Sequence, residues 1–217
     1  MNSRKNVRIG ARVEPRGDAK RRDRDQEPIK YLTKDEVERF FRAIPKNRVR
    51  DVLLFDLVYR HGLRRSEAAR LALDDLRDGK IWIARCKHGL SNAYPLHPRS
   101  KRLLTLYLRD RDRESPYLFP GRAKDAPISG GEIHRRFHIY AAAAGLPKDR
   151  SHPHSLRHAV GVHLADSGWD VSDVQDWLGH RDISSTLIYF RITNKRREER
   201  YRATLRSTAI ARTDGQH

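Results

Sequence analysis

The sequence contains a single cysteine, Cys86, among 217 residues. One thiol excludes an internal disulfide and a zinc site built from several cysteines, and it fits a reducing cytoplasm. Long apolar runs are also missing, because the first residues lead into no hydrophobic segment and no stretch approaches the roughly 20 residues that span a bilayer. From these absences we expect a soluble, cytoplasmic protein that makes no contact with a membrane.

Acidic residues are few relative to basic ones. The chain has 46 Lys and Arg against 28 Asp and Glu, a formal net charge of +18. This balance favours a polyanionic partner, because each basic side chain that contacts a phosphate releases a counterion. Nucleic acid is the first candidate, although charge alone also suits ribosomal and membrane-surface proteins. Residues 1–30 mix charges of both signs with hardly any apolar residue, a composition typical of a disordered basic arm.

The spacing of apolar residues predicts a mainly α-helical fold with a small antiparallel β-sheet. Thr33 and Glu36 have the spacing of a capping box, and the apolar side chains of residues 49–59 surround nearly the whole helix, which is typical of a central core helix. His61 and Gly62 are expected to end it. Strands are expected near residues 80–84 and 93–96. Further helices are expected at about 65–73, 99–112, 129–143, 155–167, 171–178, 183–190 and 194–208.

Two short segments carry residues suited to holding a phosphate. Phosphoryl transfer without a metal needs positive charge and hydrogen-bond donors directed at the non-bridging oxygens. Arg64 follows the stop of the central helix, so a rigid backbone supports a planar guanidinium that can bind a phosphate through two hydrogen bonds. Glu67, one helical turn later, can orient a neighbouring group. His154 and Arg157 share one face of a predicted helix, so both could contact the same phosphate.

A third group of residues could supply a nucleophile. His180 follows Gly179 at the end of a predicted helix, and Tyr189 comes nine residues later on the next one. A phenol with a reference pKa of about 10 needs nearby cations or a base to ionise at neutral pH, and His180 is the expected helper. The sequence shows neither a Walker loop nor an acidic metal cluster, so we expect no cofactor and no metal.

Together these segments resemble the conserved boxes of the tyrosine recombinases of the phage integrase type. The resemblance covers about residues 31–195, in the same order and with similar spacing. The matching runs are Gly62-Leu63-Arg64-Arg65-Ser66-Glu67, His154-Ser155-Leu156-Arg157-His158, Leu178-Gly179-His180 and Ile188-Tyr189.

The resemblance implies roles for these residues. Tyr189 would attack the scissile phosphate and form a 3′-phosphotyrosine, while Arg64, His154, Arg157 and His180 would stabilise the pentavalent phosphorane. Lys87 stands eight residues before Pro95, as the family's hairpin lysine does, and would protonate the leaving 5′ oxygen. Lys80 is a weaker alternative.

The resemblance also implies a domain organisation and partners. Residues 31–195 would form the catalytic domain and residues 196–217 a basic C-terminal helix or tail. The partners would be double-stranded DNA and a homotetramer on paired DNA sites, with accessory DNA-bending proteins, in the cytoplasm and associated with the nucleoid. Within the family, the run Lys87-His88-Gly89-Leu90-Ser91 and the short total length look most like the compact recombinases that invert fimbrial promoter segments. The 30 residues before Tyr31 are too few for the N-terminal core-binding domain of typical members.

Other interpretations stay open on the sequence alone. Taken singly, Arg64 could be a solvated residue, and Tyr189 could be a half-buried core residue with a satisfied hydroxyl. A type IB topoisomerase-like enzyme would use the same chemistry, and a catalytically silent DNA-binding regulator would keep the fold without cleavage. The close spacing of His154 and Arg157, and the nine-residue step from His180 to Tyr189, favour the recombinase.

Overall fold

The computed structural model describes residues 29–85, 89–111, 114–123 and 125–213, and in the last helix it leaves out the side chains of 194–197, 199–200 and 206–213. The predicted disordered arm, apart from its last two residues, and Lys87 therefore lie outside the described residues. Within those ranges the chain forms eight α-helices and one three-stranded sheet. The prediction of a mainly α-helical fold with a small antiparallel sheet is confirmed.

The helices and strands follow one another in a simple order. The sheet has the strand order β1-β2-β3 with antiparallel neighbours, and Ile81 of β2 pairs with Tyr94 of β3. Short 3₁₀ turns lie at Leu73–Asp75 and Lys148–Arg150. The helices are α1 Lys34–Ala43, α2 Val49–His61, α3 Arg65–Arg70, α4 Pro98–Asp110, α5 Gly130–Ala143, α6 Pro153–Asp166, α7 Val171–Leu178 and α8 Ser184–Thr213, and the strands are β1 Leu76–Arg77, β2 Lys80–Ile83 and β3 Asn92–Pro95.

Local sequence signals set the first two helices. The side chain of Thr33 accepts a hydrogen bond from the Glu36 amide at 3.3 Å, and the Glu36 carboxylate accepts one from the Thr33 amide at 2.9 Å, so the predicted capping box forms. Helix α2 ends at Gly62, whose φ of +56° lies in the left-handed region that glycine adopts without strain. Its apolar side chains enter the main core, where the Phe40 and Phe55 rings meet edge to face at 5.2 Å.

Two predicted helices have different bounds in the structure. Helix α3 ends at Arg70 rather than near residue 73, because the backbone of Leu71 and Leu73 bonds to the segment 116–118 instead of continuing the helix. The helices predicted at 183–190 and 194–208 are one helix, α8, of 30 residues. No glycine or proline interrupts residues 184–213, so nothing local ends the helix between the two predicted parts. Among the described residues, no helix is both long and apolar enough to cross a membrane.

Candidate active site

The site is organised around Glu67, a buried carboxylate on α3. Its Oε1 accepts a hydrogen bond from Arg64 Nη1 at 2.7 Å, and its Oε2 accepts bonds from the Arg64 amide at 2.9 Å and from Arg85 Nη1 at 3.0 Å. Arg157 Nη1 lies 3.8 Å from the same Oε2. Burial acts to raise the pKa of Glu67, but the bonds from Arg64 and the charges of Arg85 and Arg157 lower it overall. Glu67 is therefore an ionised anchor for three arginines.

Arg157 lies deeper in the protein than its spacing from His154 suggested. Its side chain is fully buried, and its Nη groups donate to the carbonyl oxygens of Gly62, just after α2, and of Leu178, at the end of α7, the latter at 2.8 Å. Burial, helped by the charge of Arg64, lowers the pKa of Arg157 to about 10, so the side chain stays charged at neutral pH. His154 remains exposed at the surface.

Tyr189, on α8, is 1% exposed and has its hydroxyl 3.0 Å from Nδ1 of His158. Burial raises the pKa of Tyr189 to about 12, although the charges of Arg157 and Arg64 act in the opposite direction. Its ring lies against Gly161 of α6, where an added Cβ would come within 2.5 Å of the ring carbons. The structure thus holds a protonated tyrosine in a slot that glycine leaves open.

His180 contacts the ring of Tyr189 rather than its hydroxyl. The two rings are nearly parallel, with centroids 6.3 Å apart, and His180 Nδ1 lies 2.9 Å from Thr186 Oγ1. Burial, together with the charges of Arg157 and Arg64, lowers the pKa of His180 to about 3. Burial and the neighbouring His154 likewise lower the pKa of His158 to about 3. Both imidazoles are neutral at pH 7, and the one whose nitrogen lies within hydrogen-bonding distance of the phenol is His158. The role of His180 as helper stays a prediction.

An open cavity of about 530 Å³ lies at Arg64, at the edge of this buried cluster. Arg64 and His154 line it, together with Arg65, His134 and His152. No carboxylate is among the residues that line it, so the cavity presents cations and imidazoles to any group that enters. Its chemistry suits an anion such as a phosphate.

The Phage integrase family model matches residues 30–196. The chain belongs to the phage integrase family. Tyrosine recombinase XerA of Pyrococcus furiosus is 34% identical over 174 residues, which are 78% of this chain and 60% of XerA. Type 1 fimbriae regulatory protein FimE of Escherichia coli K12 is 34% identical over 170 residues, 74% of this chain and 84% of FimE. The resemblance to tyrosine recombinases, the fimbrial group included, is confirmed, although this integrase-family chain spans less than two thirds of the length of XerA.

Solved structures of integrase-family proteins share the fold. The crystal structure of XerA recombinase superposes with a TM-score of 0.68 at 24% identity, covering 80% of this chain and 64% of XerA. XerH, in a post-cleavage complex with a palindromic difH substrate, gives a TM-score of 0.70 at 24% identity, covering 81% of this chain and 53% of XerH.

The two lysines considered as the general acid of this integrase-family chain differ in what the structure says of them. Lys87 lies outside the described residues. Lys80 is exposed on β2 and lines a separate cavity with Asp74, Asp75 and Trp82, which contains none of the other candidate site residues. The position of Lys80 therefore gives no support to the weaker alternative.

Arg85 is a residue of the site that the sequence analysis missed. A signal was present, because Ile81, Ile83 and Arg85 alternate along one face of β2 and its extension, and both isoleucines are buried. An arginine at an inward position of a strand must find a buried anion or carbonyl partners. The contact of His158 with the Tyr189 hydroxyl was likewise not predicted from the sequence.

Proposed function

We propose that this chain is a site-specific DNA recombinase that cleaves and rejoins strands through a 3′-phosphotyrosine on Tyr189. The observation that carries the proposal is the contact between the Tyr189 hydroxyl and the neutral imidazole of His158, beside Arg157. It joins a nucleophile, a proton acceptor and a buried cation, which is the set that metal-free phosphoryl transfer requires. The names of the relatives, tyrosine recombinases among them, support the same activity.

The proposed reaction conserves the phosphodiester energy. The Tyr189 oxygen attacks the phosphorus while its proton passes to Nδ1 of His158, the bond to the 5′ oxygen breaks, and Lys87 protonates that oxygen. Arg64, Arg157, His154 and His180 donate to the two non-bridging oxygens, and Glu67 orients the arginines. The reverse attack by a 5′ hydroxyl restores the diester and the free phenol, so ligation needs neither ATP nor a metal.

The burial of Arg157 implies that the site changes when DNA binds. Two of the five N–H donors of Arg157 are bonded to the carbonyls of Gly62 and Leu178, and the side chain is fully buried, so its surroundings must open before a phosphate oxygen can reach the other donors. A bond from arginine to an anionic phosphate is stronger than one to a neutral carbonyl, which favours this opening.

The proposed partner is double-stranded DNA. We propose that the protein binds two paired DNA sites as a homotetramer, together with accessory DNA-bending proteins. Its proposed location is the nucleoid of the cytoplasm. The net charge of +18 supports a DNA partner. The XerH and λ integrase structures with the same fold are complexes with DNA substrates.

A plasmid assay separates this proposal from its two rivals. A supercoiled plasmid carrying two copies of the DNA segment that flanks the gene should give inverted or deleted products, and a plasmid with one copy should not. A topoisomerase-like enzyme would instead relax both plasmids through a ladder of topoisomers. A silent regulator would shift the migration of the DNA and leave its topology and sequence unchanged, which would contradict the proposal.

A further inference from the structure

Two buried arginines join the same pair of helix ends. Arg85 Nη2 donates to the carbonyl of His61 at 3.1 Å and to that of Trp177 at 2.6 Å. Arg157 donates to the carbonyls one residue further along each segment, those of Gly62 and Leu178. Both guanidinium groups also approach Oε2 of Glu67, at 3.0 Å for Arg85 and 3.8 Å for Arg157. The carbonyls at helix ends lack hydrogen-bond donors within the helix, and the arginines supply these donors.

Arg85 also belongs to the β-hairpin. Its amide donates to the side chain of Ser91 at 3.0 Å, and its guanidinium lies 5.4 Å from the centre of the Tyr94 ring on β3. Its side chain is fully buried. A Cβ added at Gly179, which ends α7 with a φ of +61°, would lie 2.7 Å from Arg85 Cγ. Four parts of the fold therefore meet on this one side chain: α2, α3, the hairpin and the end of α7.

We propose that Arg85 is a positioning residue for strand transfer, acting through Glu67 on Arg64. The proposal rests on the function proposed above. Arg85 fixes Oε2 of Glu67, and the fixed carboxylate then presents Oε1 to Arg64 Nη1 at 2.7 Å. Without Arg85 the carboxylate can rotate, and Arg64 loses the support that directs it into the cavity. A displacement of about 1 Å in such a group can cost about 10²-fold in rate.

The test compares Arg85→Met with a matched control, Arg111→Met. Arg111 is also buried and donates to the backbone carbonyls of Ser115, Tyr117 and Leu118. Among the described residues, none of its contacts is to a candidate site residue.

In single-turnover cleavage of a nicked DNA substrate, Arg85→Met should be slower by about 10²-fold. Its Kd for DNA should stay within a factor of about three, because the Arg85 side chain is fully buried. Arg111→Met should lower the melting temperature and leave the cleavage rate of the folded protein unchanged. Cleavage by Arg85→Met at the wild-type rate would overturn the proposal.

A second comparison shows whether Arg85 acts through Glu67. Residues that act through one another give non-additive effects, so the double variant with Glu67→Gln should be no more than about threefold slower than the slower single variant. Rates that multiply would overturn the proposal. A substrate with sulfur at the 5′ bridging position should not rescue Arg85→Met, because Arg64 stabilises the non-bridging oxygens. Rescue would assign Arg85 to the leaving group instead and would equally overturn it.

A second variant and the behaviour of the wild-type protein distinguish failure of this inference from failure of folding or of the proposed function. If Arg85→Met does not fold, Arg85→Lys retains the charge but cannot bond Glu67 and both carbonyls, and it should cleave at an intermediate rate with unchanged DNA affinity. Wild-type cleavage by Arg85→Lys would then overturn the inference. If the wild-type protein itself forms no covalent adduct, the proposed function fails. If it forms one and the Arg85 variants match it, only this inference fails.

Discussion

Nδ1 of His158 lies 3.0 Å from the hydroxyl oxygen of Tyr189, and this contact joins α6 to α8. The burial that lowers the pKa of His158 to about 3 also raises that of Tyr189 to about 12, so at neutral pH both groups are uncharged. A neutral imidazole can accept the phenol proton at the moment of attack. The nucleophile is therefore stored, protonated, beside the group that can activate it.

Replacing His158 should slow cleavage more than binding. His158→Ala removes the proton acceptor, and we expect cleavage to fall by about 10²-fold to 10⁴-fold with little change in Kd for DNA. His163→Ala is the matched control. His163 lies on the same helix as His158, and its Nδ1 is 2.9 Å from the hydroxyl of Tyr59. Both variants leave a tyrosine hydroxyl without this partner, but only the first should affect cleavage. Equal rates for the two variants would refute the role of His158.

The contact between Gly161 and Tyr189 predicts a second effect. In Gly161→Ala the new Cβ would meet the Tyr189 ring at 2.5 Å, so the ring must shift, and overpacking of this kind costs about 1–3 kcal/mol of stability. We expect slower adduct formation and a lower melting temperature. Gly131→Ala on α5 is the control, because its Cβ would meet nothing closer than 3.8 Å. Gly131→Ala should keep both the stability and the cleavage rate of the wild type. A wild-type rate for Gly161→Ala would show that the slot does not position the tyrosine.

The role of Lys87 is a prediction from the sequence that no contact in the structure tests. A general acid matters only for the leaving 5′ oxygen, so Lys87→Ala should slow cleavage of an ordinary phosphodiester by about 10²-fold. Sulfur at that bridging position needs little protonation and should restore the rate. Lys80→Ala should behave as wild type on both substrates. Normal cleavage of the ordinary substrate by Lys87→Ala, or failure of sulfur to rescue it, would assign the proton to another residue.

His61 should make the folded protein sensitive to acid. Burial, with Arg85 and Arg60 adding to it, lowers the pKa of His61 to about 3, and its ring nitrogens have no hydrogen-bond partner among the described residues. Below about pH 6.5 the unfolded chain takes up a proton at His61 and the folded chain does not. The contribution of His61 to the free energy of unfolding is therefore highest above pH 6.5 and falls as the pH falls towards 3.

His61→Phe should remove that dependence while keeping the ring packed against Trp177. Between pH 7 and pH 5 the wild-type free energy of unfolding should fall by about 2 kcal/mol more than that of the variant. Urea unfolding at the two pH values measures the difference. An equal fall in both proteins would show that His61 takes up its proton without unfolding.

Local signals predicted much of the fold. The capping box at Thr33 and the stop at Gly62 depend on residues within one helical turn, so their effect can be inferred from a short stretch of sequence. The break expected inside α8 was wrong, because no glycine or proline within residues 184–213 ends the helix. Helix α3 ended early because segment 116–118 bonds to the backbone of Leu71 and Leu73, and a partner so distant in the chain leaves no local signal.

For the candidate site, too, local sequence predicted some features and could not predict those that depend on packing. Spacing on one helix placed His154 and Arg157 together, yet it could not show that one is exposed and the other buried, because burial depends on what α2 and α7 place around them. The pairing of Tyr189 with His158 rather than His180 depends on how α8 packs on α6. Arg85 was missed because its partners, Glu67 and the carbonyls of His61 and Trp177, come from three other segments.

The most direct test of the central claim is the site of the covalent bond between protein and DNA. A nicked suicide substrate made from the DNA that flanks the gene traps the intermediate, and mass spectrometry of the digested adduct locates the attached nucleotide. The account predicts a wild-type adduct with the nucleotide on Tyr189, and no adduct for Tyr189→Phe, which should still bind the DNA. An adduct that persists in Tyr189→Phe, or one that maps to another residue, would contradict it.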